Sequence, residues 1–64
     1  MEDIKERYLN EHEVARLTGR AVPTLRNDRC QYKGLPYVKV GRSVRYSLRD
    51  VLRWMEERKV VPEA

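Results

Sequence analysis

At 64 residues the chain has room for a single domain with a thin core, so a binding face is easier to build than a cleft that encloses a substrate. Its residues are 41% hydrophobic and 38% charged, and the apolar ones fall in periodic clusters, which indicates folding rather than disorder. No apolar run approaches the roughly 20 residues of a membrane span, no signal-peptide core opens the chain, and the lone Cys30 can form no internal disulfide, so the expected setting is reduced, cytoplasmic and nucleoid-associated.

Residues 1–7 are charged around a single Ile4 and are expected to form a flexible N-terminal arm, with the domain over 8–58 and a tail over 59–64. The first helix is predicted to start at Asn10. Asn10 and Glu13 make a capping-box pattern, and Leu9 can staple onto Val14. Val14, Leu17 and Thr18 share a face beside Ala15, and Gly19 ends the helix after about 8 residues. The second helix carries Pro23 in its first turn and Leu25 as its buried anchor, with Val22 and Tyr32 at helical spacing on the same side. Helix, a turn of about 3 residues, helix is the spacing of a helix-turn-helix.

Gly34 and Pro36 stop the second helix. Tyr37-Val38-Lys39-Val40 and Val44-Arg45-Tyr46 then alternate as strands do. A two-residue loop, Gly41-Arg42, pairs Val40 with Ser43 and Val38 with Arg45, which mixes the faces. A three-residue loop, Gly41-Arg42-Ser43, pairs Val40 with Val44, Val38 with Tyr46 and Lys39 with Arg45. The second register gives one clean apolar face and is the expected one, although the common three-residue turn wants its glycine last. A capping-box pattern at Ser47 and Asp50 opens the last helix, where Leu48, Val51, Leu52 and Met55 form an apolar stripe flanked by Trp54. Arg53 and Glu57 are spaced to pair, and Pro62 marks the end. The fold class is therefore mainly α with a small β-hairpin: three helices plus a two-stranded wing, in the order α-α-β-β-α.

The net charge of +4 is concentrated in the middle of the chain. Residues 1–19 carry −2, residues 20–46 carry +6 with Asp28 as their one acid, and residues 47–64 balance. Such a block is the footprint of a polyanionic partner. In the expected register Lys39 faces Arg45 with Arg42 at the tip, a like-charge juxtaposition that a phosphate backbone would relieve. On the second helix Arg26, Asn27, Thr24 and Arg29, with Arg20 in the turn, offer donors and acceptors suited to base edges and phosphates. Other chemistry is not supported. His12 stands alone between Glu11 and Glu13, no Cys/His spacing supplies a metal site, no Gly-rich phosphate loop is present, and Cys30 reads as a half-buried structural cysteine. No cofactor, metal or catalytic activity is expected.

Several stretches, taken in order, resemble one known family. They are Leu9-Asn10-Glu11-His12-Glu13-Val14-Ala15, Leu17-Thr18-Gly19, Thr24-Leu25-Arg26, Leu35-Pro36-Tyr37-Val38-Lys39-Val40-Gly41-Arg42-Ser43-Val44-Arg45-Tyr46, and Asp50-Val51 with Trp54-Met55. The family is the excisionase and AlpA-like helix-turn-helix proteins, within the MerR-like winged-helix group, and the resemblance spans about residues 8–57. It implies a second helix in the major groove of double-stranded DNA and a hairpin wing on the flanking backbone or minor groove. The family's members are small phage, prophage and mobile-element proteins that regulate transcription or direct recombination. By position Thr24, Arg26 and Asn27 match the recognition helix, and Lys39, Arg42, Ser43 and Arg45 match the wing.

This sequence departs from the pattern at Ala21, where the family often has Ser, and at Pro23, which replaces a polar residue. At Asp28 many relatives carry an aromatic, whose space Cys30 or Tyr32 is expected to fill. Expected partners besides DNA are an integrase or recombinase, RNA polymerase, or further copies of the chain on repeated sites. The alternative from another class is a protein-interaction adaptor that uses Trp54, Val60 and Val61.

Overall fold

The computed structural model describes residues 7–63, so all of the expected arm except Arg7 lies outside the described residues. The element order is β1 (Tyr8–Leu9), α1 (Glu11–Thr18), α2 (Val22–Cys30), β2 (Val38–Val40), β3 (Ser43–Ser47) and α3 (Leu48–Glu57). This is the expected three helices and hairpin, with one strand more. Tyr8 and Leu9 pair antiparallel with Ser47 and Tyr46, so the sheet has three strands in the order β1-β3-β2.

The signals around α1 act as read. Asn10 accepts a hydrogen bond from the Glu13 backbone N–H at 2.8 Å, and the Glu13 carboxylate accepts from the Asn10 N–H at 2.9 Å. Gly19 ends the helix at φ 78°, a left-handed conformation that costs glycine little, and its N–H donates to the Ala15 carbonyl. At α3 the corresponding pattern does not form: Ser47 makes no side-chain cap. Ser47 is the last residue of β3, held by its ladder partner Tyr8, and the Leu48 N–H donates to the carbonyl of Arg7 at 3.0 Å, so the β1 segment rather than a hydroxyl anchors the start of α3. Glu57 pairs with its neighbour Arg58 rather than with Arg53.

The hairpin register is the two-residue one. Val38 pairs with Arg45, Lys39 with Val44, and Val40 with Ser43. Gly41 sits first in the turn at φ 60°, and Arg42 is not among the positive-φ residues, as a type II′ turn requires. Turn chemistry thus outweighs the alternation that favoured a three-residue loop. Lys39 does not oppose Arg45, and the repulsion expected between them is absent. Val44 and Tyr46 turn inward, while Val38 and Val40 face solvent.

The core is Leu9, Val14, Leu25, Leu35, Tyr46 and Val51, with Ala15, Val44, Leu48 and Trp54 packed around it. Leu17, Leu52 and Met55, expected inside, are exposed, because so small a body has more apolar side chains than interior positions. Tyr32 is 89% exposed rather than buried, since the chain turns left-handed at that residue (φ 55°). Cys30 is exposed as well. Neither packs inward beside Asp28, which is itself buried and ion-paired to Arg20 at 2.7 Å. Gly34, at φ 85°, lies so close that a Cβ there would stand 2.9 Å from the Asp28 carboxylate.

Candidate nucleic-acid interface

α2 buries Leu25 and Asp28 and has no side-chain cap at Ala21. At 100° per residue the direction away from Leu25 and Asp28 is centred on Pro23 and Cys30, with Arg26 on one side and Asn27 on the other. All four are exposed, as is Thr24. Arg26 and Cys30 lie on the side of the hairpin, where they line one groove with Lys39, Arg42 and Val44. A second cleft runs on from it between α2, the start of α1 and the hairpin, lined by Asn10, Glu11, His12, Arg26, Arg29, Arg42, Ser43 and Arg45. The two grooves together gather five cations, Arg26, Arg29, Lys39, Arg42 and Arg45, and one carboxylate, that of Glu11, which contacts Arg26 and Arg29.

Not all of those cations face outward. Arg29 has only 18% of its side chain exposed. It donates to the Tyr46 hydroxyl at 2.7 Å, reaches Glu11 at 3.4 Å and lies over the Tyr37 ring at 5.9 Å. Arg29 therefore ties α1, α2 and β3 together from behind the exposed face. Arg20 is similarly engaged, ion-paired to Asp28 and 5.5 Å from the centre of the Trp54 ring. Trp54 is held on its other contact by Arg58 at 4.0 Å, a pair of cation–π contacts that accounts for its partial burial.

Arg26 is the exposed arginine of α2. Its Nε and one terminal nitrogen donate to the two carboxylate oxygens of Glu11, at 3.1 and 2.6 Å. This two-point hydrogen bond from Arg26 is the main cause that holds the Glu11 carboxyl below its ordinary value of 4.5. The positive charges of Arg26 and Arg29 add to it, and burial opposes it. The same bond holds Arg26 still more firmly protonated.

The sign of the linkage follows. A carboxyl with a depressed folded-state pKa contributes stability that is fully present above its unfolded value, here about 4.5, and is lost as pH falls through the lower folded value. Urea melts are therefore expected to be flat in this respect from neutrality to about pH 4.5 and to weaken below it. Glu11→Gln should shallow that acid limb, and an unchanged limb would show that the ion pair has no part in it.

Sequence reasoning picked out Thr24, Arg26, Asn27, Lys39, Arg42, Ser43 and Arg45, which the fold places on the α2 face and the hairpin. It also picked out Arg20 and Arg29, which stand behind. It missed Glu11 as a member of the site, because nothing local links it to a residue 15 positions on. His12, which stands alone in the sequence, is exposed at the edge of the second cleft. Among the described residues no group of three or more His, Cys, Asp and Glu could hold a metal ion, and no helix is long and apolar enough to cross a membrane.

A search of curated proteins and of solved structures finds no match to the chain. A family model described as a helix-turn-helix domain matches residues 8–59, from the first residue of β1 to just past α3. The chain thus belongs to the helix-turn-helix family of excisionase and AlpA-like small DNA-binding domains.

Proposed function

We propose that this chain binds double-stranded DNA at a specific sequence, with α2 in the major groove and the hairpin as a wing on the flanking backbone or minor groove. It then acts as a transcriptional regulator or a recombination directionality factor of mobile-element type, without catalysis of its own. The observation that carries this reading is the shared frontage of the exposed α2 face and the wing, where Arg26, Lys39, Arg42 and Arg45 converge on one groove system. Asn27 can present its amide to adenine and Arg26 a fork to guanine, while Thr24 and Ser43 supply hydroxyls for either role. The cations of the wing suit phosphates, which fix position without reading sequence. Arg20 and Arg29 serve as positioning residues that set the angle of α2.

Fluorescence anisotropy with random duplex DNA over a range of salt tests this. Log affinity is expected to fall linearly with log salt, with a slope equivalent to roughly 4–6 phosphates at about 0.9 each. Absence of binding at low salt would overturn the reading. A protein partner such as a recombinase or RNA polymerase, or a second copy on DNA, draws support from the exposed Leu52, Val60 and Val61, which lie outside the groove system.

A further inference from the structure

We infer that Glu11 is a specificity-determining positioning residue: its carboxylate turns Arg26 into a fixed two-donor probe for one guanine and denies that side chain to phosphate. The inference rests on the duplex-DNA reading above. A guanidinium has five N–H donors in a rigid fork. Glu11 takes the inner edge of Arg26, one bond from Nε and one from a terminal nitrogen. The outer edge, made by the two terminal nitrogens, keeps its donors free, and 57% of the side chain is exposed. That edge has the spacing that guanine O6 and N7 accept.

Glu11 is itself fixed. It is the first residue of α1, set by the Asn10–Glu13 capping box, and Arg29 holds one of its oxygens from the inner side at 3.4 Å. Only 18% of its side chain is exposed. An arginine alone on a helix swings among rotamers and settles on phosphate as readily as on a base. Here the nearby carboxylate offsets its charge toward a phosphate, whereas the neutral edge of guanine is accepted by geometry. α1 thus contributes to recognition without touching DNA.

The test compares wild type, Glu11→Gln and Arg26→Ala. Base preferences come from selection on randomised duplexes, and non-specific affinity comes from anisotropy. In Glu11→Gln the preference for guanine at one base pair should fall by about tenfold, the discrimination of a good bidentate pair. It should be the same base pair that Arg26→Ala relaxes. Affinity for random duplex should rise, with a salt slope steeper by about 0.9 as Arg26 gains a phosphate. A merely structural Glu11 would lower specific and non-specific binding together, and that outcome overturns the inference, as does full retention of every base preference.

Should Glu11→Gln fail to fold, the Arg26 Nε–H resonance of wild type on its duplex decides. Continued protection from exchange supports a buttressed arginine, and loss of protection overturns it. Wild type that ignores duplex DNA at low salt would sink the DNA reading instead. Loss of one preference in Arg26→Ala but not in Glu11→Gln sinks this inference alone.

Discussion

Leu25→Ala is expected to leave the domain largely unfolded at physiological temperature. Leu25 is 2% exposed and is the apolar side chain by which α2 enters a core of six buried residues. A buried Leu→Ala change costs roughly 2–5 kcal/mol, the spread depending on how far the site collapses. A domain below about 70–80 residues rarely draws more than roughly 3–5 kcal/mol from its core. The loss therefore matches the whole margin. Chemical melts followed by circular dichroism check this, with Leu52→Ala as the control. Leu52 is half exposed, so its truncation should shift stability by about 0.5 kcal/mol or less. A melt for Leu25→Ala that overlays wild type would mean α2 is held by its ion pairs instead. Duplex DNA should partly restore the fold of the variant, because a ligand at 100 times its Kd adds about 2.7 kcal/mol to the bound native state.

The double variant Arg42→Ala/Arg45→Ala should have the largest effect on binding. Each wing cation that neutralises one phosphate adds about 0.9 to the salt slope, so the slope should fall by about 1.8. Extrapolated to 0.1 M salt this is a loss of roughly sixtyfold, and it should be nearly the same for the selected site and for random duplex. Arg42 is in the turn, and Arg45 bends back to its own strand through the Val44 carbonyl at 2.9 Å, so removing either side chain leaves the core untouched. Native stability with an unchanged slope would remove the wing from the contact surface. The contrast with Arg26→Ala is the informative part, because that variant should lose preference more than affinity.

What the residues reveal in advance depends on how far apart the interacting partners are. The α1 boundaries were legible because a cap, a staple and a terminal glycine all act within a few residues. The hairpin was legible as a hairpin, but its register was not. Two rules conflicted there, and the turn geometry of Gly41 prevailed over the cleaner alternation of Val38 and Val40. Strand β1 has two residues, too short for any periodicity, and pairs with Ser47 and Tyr46 almost 40 positions on. Nothing local marks Asp28 as buried; its place is set by Arg20 and by the close approach of Gly34. The candidate site follows the same division. Residue chemistry pointed to the wing and the α2 face, whereas the roles of Arg20, Arg29 and Glu11 are set by contacts that leave no local trace.

The strand order has one more consequence. With β3 in the centre, the sheet ends on β1 with two residues and on β2 with three. An unpaired strand edge is a template for another chain, and exposed valines make it adhesive. In β2 the middle position, between the solvent-facing Val38 and Val40, is Lys39, and a charge there discourages edge-to-edge stacking. The lysine that offers a cation to the groove therefore also keeps neighbouring molecules from growing a common sheet. Replacing it with an apolar residue would put at risk not only ligand affinity but also the solubility of the protein at high concentration.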